Sequence, residues 1–379
     1  MTTVAPGPLV APDVAITAPA LPDGLDTPCA VVDLDRLERN IARMQAAADR
    51  SGVALRPHAK THKSVKVAEL QLAAGARGLT VGTLGEAEVF ADAGVADLFL
   101  AYPIWASDAK ARRIRELHER VALRIAIDSV EGAEALGRAT AGSTRPLEVL
   151  VELDCGGHRT GARLDEAIAI ARAADRAGLR TIGVMTYGGH AYAGRESIVP
   201  AGADEVEMVS RAADLLRAAG FEIDVLSVGS TPTASLPVPA PVTEVRPGTY
   251  VYHDRGQVWL GSCEPDDIAF WVATTITSVA VPGQAIVDAG AKAFARDALR
   301  AAPGLGLGLL PTLPGVLREV NDYHGYVEPR GSNRGRPGEV LPLAPNHVCP
   351  VVDHYAETVV VRAGRVVDVW AVDARGRSR

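Results

Sequence analysis

This chain has no excess of basic residues: 39 Lys+Arg stand against 46 Asp+Glu, a formal net charge of −7 over 379 residues. With no basic stripe to offset that balance, a sequence-independent grip on nucleic acid is excluded, because such a grip depends on lysine and arginine neutralising phosphates. Aromatic residues are scarce at 4%, which also excludes the stacking platforms that hold single-stranded bases. The four cysteines, Cys29, Cys155, Cys263 and Cys349, are too few and too scattered for a disulfide framework in a chain of this length, so reduced thiols in a cytoplasm are expected. There is no run of about 18 uninterrupted apolar residues, so no membrane span is expected. The opening MTTVAPGPLVAPDVAITAPALPDG lacks the basic start and continuous apolar stretch of a secretory signal, and its prolines suggest an irregular arm over residues 1–24.

Small aliphatic residues are what the chain has in abundance. Hydrophobic residues make up 47% of it, enough for a large core, and the length suits an α/β barrel with a smaller second domain. From about residue 50, short apolar runs alternate with segments of helical period. The runs are VALRPHAK, GLTVGT, DLFLAYP, LRIAIDS, LEVLVELD, TIGVMTYG, VLSVGS and EVRPGTYVY. Between them lie stretches such as LDEAIAIARAADRAGL, with apolar residues at helical spacing and a glycine near the end. Eight strand–helix units predict a (β/α)8 barrel over residues 25–261, with a doubly wound sheet as the alternative. After residue 262 the texture changes. WVATTITSVAV, QAIVDAG, ETVVVRAG and RVVDVWAV read as strands, which predicts a mainly β second domain over 262–379. The early run PCAVVDLD is a further candidate for that sheet.

In VALRPHAK, alternation of faces puts Arg56, His58 and Lys60 on one side of a strand, with Lys60 at the C-terminal end, where barrel active sites form. Three basic groups on one face need an anion or water to offset burial. Two readings follow: a lysine that holds an anionic cofactor, or a solvated basic loop outside the barrel. Two Gly-containing turns after late strands, Gly229-Ser230-Thr231 and Gly248-Thr249-Tyr250, offer N–H groups and hydroxyls suited to a phosphate, or are ordinary turns. His190 follows the sixth run and is either a group within reach of a substrate hydroxyl or a polar loop histidine. His347 and Cys349, two apart on a segment read as extended, point the same way. They are either two metal ligands, leaving open positions for water or substrate, or part of a buried strand with Cys349 as a small hydrophobe.

LDTPCAVVDLDRLERNIARM and GVALRPHAKTHKS resemble the opening of the D-threonine aldolase and D-serine dehydratase family, pyridoxal-phosphate enzymes with an alanine-racemase-type barrel. The resemblance runs over nearly the whole chain after residue 25. It implies that Lys60 forms the Schiff base with pyridoxal 5'-phosphate, that Arg159 lies beside the cofactor and Tyr187 contacts its ring, and that the two glycine turns hold its phosphate. It also implies a divalent cation on His347 and Cys349, with manganese favoured and zinc the alternative, and Asp322 or His324 as outer support. A homodimer and a small β-hydroxy D-amino acid substrate are implied as well.

The closing VVVRAGRVVDVWAVDARGRSR resembles low-specificity D-threonine aldolases, whereas AYPI and the His-x-Cys pair resemble D-serine dehydratases. The long tail makes retro-aldol cleavage of D-threonine to glycine and acetaldehyde the expected activity. Dehydration to a 2-oxo acid and ammonia is the alternative. A racemase would need a second base on the opposite face of the cofactor ring, and none is evident. A non-catalytic cofactor carrier would lack the β domain and the metal pair.

Overall fold

A computed structural model describes residues 16–299 and 302–379. Contacts divide the chain into two units. One runs up to Leu37 and resumes over Tyr252–Val369; the other comprises Glu38–Val251 and Trp370–Arg379. The division falls inside the first helix, α1 (Leu34–Ser51), which follows β1 (Cys29–Asp33). In α1, Leu37, Ile41, Met44 and Ala48 recur at helical spacing and are all buried.

The second unit is a ring of parallel strands: β2 (Ala54–Leu55), β3 (Leu79–Val81), β4 (Asp97–Leu100), β5 (Ala122–Ile127), β6 (Glu148–Glu152), β7 (Arg180–Met185), β8 (Val225–Val228) and β9 (Glu244–Val245). Each pairs with its neighbour in the order β2-β9-β8-β7-β6-β5-β4-β3. An isolated parallel bridge between His58 and Thr80 joins the two ends of that order, with the Thr80 N–H donating to the Pro57 carbonyl at 2.8 Å. Helices α2 (Val65–Ala73), α3 (Leu84–Asp92), α4 (Asp108–Arg120), α5 (Val130–Thr140), α6 (Ala167–Arg176), α7 (Ile198–Ala218) and α8 (Thr231–Ala234) follow β2 to β8 in turn. Local sequence sets their starts: the Thr83 and Ser129 side chains accept the N–H groups of Glu86 and Gly132, the usual service of an N-cap hydroxyl. The expected α/β barrel is thus the observed architecture.

Phe99, Ala126, Leu150, Ile182 and Met185 pack as an apolar cluster of the barrel. Arg56 is fully buried and does not lie open to an anion. Its Nε donates to Glu244 at 2.7 Å, and its two terminal nitrogens grip Asp97 at 2.7 and 2.9 Å. These carboxylates offset the cost of taking a guanidinium out of water.

Two expected strands are shorter than their apolar runs suggest. In VALRPHAK the assigned strand is Ala54–Leu55, and Ala59–Thr61 form a 3-10 turn; strand-like hydrogen bonds continue past Pro57 as far as the His58 N–H to the Pro247 carbonyl at 2.9 Å. Lys60 therefore sits on a turn just beyond the strand. EVRPGTYVY is likewise a strand only at β9, and Thr249–Val251 form a 3-10 turn after Pro247.

The first unit is a nine-stranded, mostly antiparallel sheet. To β1 it adds β10 (Phe270–Ser278), β11 (Ala285–Val287), β12 (Gly308–Leu310), β13 (Gly315–Val320), β14 (Gly325–Pro329), β15 (Val340–Pro345), β16 (Glu357–Arg362) and β17 (Arg365–Ala371), with two short helices, α9 (Arg255–Leu260) and α10 (Val348–Val352). The order is β11-β14-β13-β12-β15-β10-β1-β16-β17, and β11 also pairs with β10. β1 runs antiparallel to β10 and parallel to β16, so the early run PCAVVDLD does belong to this sheet. Ile16, Val31, Ile268, Trp271 and Val361 lie in its core. Among the described residues, no helix is long and apolar enough to cross a membrane.

Candidate active site

In the barrel unit, the turn carrying Lys60 is fixed by its neighbours. His58 caps it, its Nδ1 accepting the Lys60 N–H at 3.4 Å. Burial, then the charges of Lys60, Arg246 and Arg159, hold the His58 imidazole well below its ordinary value, so it is neutral at physiological pH. Gly248 lies against this turn: a Cβ there would stand 2.9 Å from Thr61 Oγ1 and 3.1 Å from His58 Cβ. Only glycine allows so close an approach.

The two glycine turns prove to be one place. The Tyr250 N–H donates to Thr231 Oγ1 at 3.1 Å, joining them. Gly229 has φ +99, and its N–H goes to buried Glu205 at 3.1 Å. Ser230 spends its N–H and hydroxyl on Thr233 in a capping box. The Tyr250 phenol turns away into the core, accepting a hydrogen bond from Gln71 at 2.9 Å. An anion at this junction would find the Thr231 hydroxyl. The sequence reading missed Arg246, buried in the barrel beside Glu244, Glu205 and Glu152, with its backbone N–H on the Val228 carbonyl and its guanidinium donating to Ser227 Oγ and, at 2.7 Å, to the Thr186 carbonyl. Nothing in the run EVRPGTYVY marks Arg246 as interior, since an arginine beside Pro-Gly reads as a surface turn. The Thr231 hydroxyl, with Lys60 across Gly248, fits a phosphate-bearing aldehyde.

Arg159 and Tyr187 meet: the guanidinium carbon lies 4.6 Å from the ring centroid, a cation–π contact. His190 is placed by Asp204, whose Oδ2 is 3.0 Å from Nε2. Its Nδ1 is buried without a hydrogen-bond partner. An acid-oriented imidazole with one free nitrogen is the form a general acid–base takes.

The remaining candidates lie in the β unit. His347 and Cys349 are not on a strand. His347 is the N-cap of α10, and Cys349 is in its first turn. Pro350 follows, tolerated there because the first-turn N–H groups have no helical acceptor. Asp254 Oδ2 caps the helix, accepting the Val348 N–H at 3.0 Å. The pair still converges. Burial alone would disfavour a charged His347 imidazole, but the Cys349 thiolate, the Asp297 carboxylate and Asp254 outweigh it and push it up to about 11. Asp297 Oδ2 lies 2.8 Å from Nδ1, and the His347 and Cys349 side chains are hydrogen-bonded to each other. Among the described residues, no three His, Cys, Asp or Glu side chains are grouped to hold a metal. His324 is in the β13–β14 turn, its ring against Asn321 Oδ1 at 3.3 Å.

A parallel barrel with a lysine turn and anion donors at the C-terminal ends of its strands, together with a separate β unit, defines the alanine-racemase class of pyridoxal-phosphate protein. The chain belongs to that family, in the branch of D-threonine aldolases, 3-hydroxy-D-aspartate lyases and D-serine dehydratases. The model of the alanine racemase N-terminal domain matches residues 32–256, and that of the putative serine dehydratase domain matches 269–361. The chain is 39% identical to a D-threo-3-hydroxyaspartate dehydratase of Delftia sp. (strain HT23), over 91% of this chain and 97% of that protein. It is 33% identical to a D-threonine aldolase of an Arthrobacter species, over 97% and 98%. A solved structure of the Delftia dehydratase superposes with TM-score 0.85 at 37% identity, covering 92% of this chain and 97% of that one. A D-threonine aldolase from Filomicrobium marinum superposes at 0.84 and 27% identity, covering 96% and 100%. Two further structures of a D-threo-3-hydroxyaspartate dehydratase carry alanine in place of a histidine and of a cysteine two positions further on, the latter described as metal-free. The family implies pyridoxal phosphate as cofactor.

Proposed function

We propose that this protein is a pyridoxal-phosphate- and metal-dependent lyase that dehydrates a β-hydroxy D-amino acid to a 2-oxo acid and ammonia. The observation that carries this reading is the His347–Cys349 pair with Asp297 behind it. The Delftia-type dehydratase has a histidine and a cysteine at the same spacing, and its cysteine variant is described as metal-free. Lys60 would hold the cofactor. Thr231 and the turns at Gly229 and Gly248 would hold its phosphate, and Arg159 and Tyr187 would flank it. His347 Nε2 and Cys349 would hold a divalent cation, and the thiolate favours a zinc-like ion over manganese.

Bound pyridoxal phosphate supplies an electron sink for charge left on the substrate Cα, and a bound cation supplies Lewis acidity. The chain's own groups move the protons. Lys60 Nζ takes the Cα proton, and His190, oriented by Asp204, carries a proton to the departing β-hydroxyl.

Retro-aldol cleavage of D-threonine is a second reading, favoured by the aldolase relative that matches 97% of this chain and by the long tail resemblance. In that case His190 takes the proton of the β-hydroxyl instead. Incubation with pyridoxal phosphate, a zinc or manganese salt, and D-threo-3-hydroxyaspartate, D-threonine or D-serine separates the two. A 2-oxo acid with ammonia is expected; glycine with an aldehyde establishes the second reading; neither product from any of the three defeats both.

A further inference from the structure

We infer that the segment Trp370–Arg379 is a strap that sets the conformation of the Lys60 turn, with Asp373 as its positioning residue; this rests on Lys60 being the cofactor lysine. Helix α2 starts four residues beyond the turn's last residue, yet its N-cap, Ser64, makes no side-chain cap. The cap comes from 308 residues away: the Val65 N–H donates to Asp373 Oδ2 at 2.7 Å, a carboxylate at a helix N-terminus, where the dipole favours negative charge. The next strap residue reaches the other side of Ser64, the Ala374 N–H donating to the Lys63 carbonyl at 2.9 Å.

Lys63, held between these bonds, has φ +50. A residue with a Cβ keeps that left-handed conformation only where its surroundings enforce it. It directs Lys63 Nζ to within 3.6 Å of Glu86 Oε1, both side chains nearly buried. Glu86 Oε2 in turn accepts the Gly82 N–H at 2.7 Å. Gly82 leaves little room beside Glu86 and His58: a Cβ there would stand 3.3 Å from Glu86 Oε2 and 3.7 Å from His58 Cε1. His58 caps the Lys60 turn. The Lys63 N–H also donates to the carbonyl of Ala59, the first residue of the Lys60 turn, at 2.8 Å, so hydrogen bonds run from the strap through Lys63 into that turn. The strap also crosses the start of α3, the helix that carries Glu86, where Gly85 N–H donates to the Arg379 carbonyl at 3.0 Å. A turn fixed before the cofactor arrives has little ordering left to offset on binding.

The test compares wild type with Asp373→Ala and Asp373→Asn. Pyridoxal phosphate affinity is read by absorbance titration, the asymmetry of the bound cofactor by visible circular dichroism, and the fold by thermal unfolding of the cofactor-free protein. We expect Asp373→Ala to weaken cofactor binding about tenfold and Asp373→Asn about threefold, each with an altered dichroic band and little change in the cofactor-free midpoint. If Asp373→Ala fails to fold, Asp373→Asn decides the matter. Affinity and dichroism equal to wild type would overturn the inference, as would a loss of affinity that merely tracks a loss of folded protein. Wild type that takes up no pyridoxal phosphate would overturn the cofactor reading itself, and this inference with it.

Discussion

His347 Nδ1 and Asp297 Oδ2 lie 2.8 Å apart across fifty residues of sequence. The bond holds one face of the ring, and on the proposed reading, with His347 as a metal ligand, an outer carboxylate of this kind would raise the basicity of the imidazole. Asp297→Asn should therefore lower affinity for zinc about 10–100-fold, measured by competition with a chelator, while leaving cofactor absorbance in place. His347→Ala and Cys349→Ala should do more. Unchanged zinc affinity in Asp297→Asn would remove the carboxylate from that role.

Gly248 touches Thr61 and His58 so closely that a methyl group has no room. Gly248→Ala should push the Lys60 turn aside, destabilising the protein by about 1–3 kcal/mol and weakening pyridoxal phosphate binding by more than that loss explains. Urea unfolding and absorbance titration on the same variant separate the two effects.

The Tyr250 phenol should matter to the fold and not to the cofactor. Tyr250→Phe removes a buried hydrogen bond with Gln71, a loss of about 1 kcal/mol, and should leave cofactor affinity at the wild-type value. Weaker binding beyond the stability loss would restore the phenol as a phosphate contact.

These sites also show where the sequence was legible. The alternating runs expose the barrel because each buried strand is a short apolar block bounded by turn residues. Lys60 stands out because three basic residues at period two conflict with a barrel interior. The strand ends were misjudged where the chain turns into 3-10 turns, at Ala59–Thr61 and Thr249–Val251. Arg56 looked like part of an anion site because nothing near it in sequence reveals Asp97 and Glu244, its partners 41 and 188 residues away. Arg246, Glu205, Asp297 and Asp373 carry no local signal; long-range folding alone places them. His347 and Cys349 were found as a pair, but on the wrong element, because Val348 and the prolines around it mimic an extended segment.

Arg56 and Glu244 give a prediction of stability and its pH dependence. Burial raises the Glu244 carboxyl, but the Arg56 guanidinium outweighs it and holds it below its ordinary value. A carboxyl held low contributes stability that is complete above the usual carboxylate range and is lost as pH falls through the folded value. Glu244→Gln should destabilise the protein by about 3 kcal/mol near neutral pH, and the gap to wild type should narrow in acid. Denaturant unfolding at several pH values checks both the size and the sign.

Attachment of the cofactor to Lys60 is tested most directly by reducing the pyridoxal-phosphate-loaded protein with borohydride and mapping its peptides by mass spectrometry. The phosphopyridoxyl group is expected on Lys60 and nowhere else, and absent from Lys60→Ala. Label on another lysine, or an equal yield from Lys60→Ala, would contradict it.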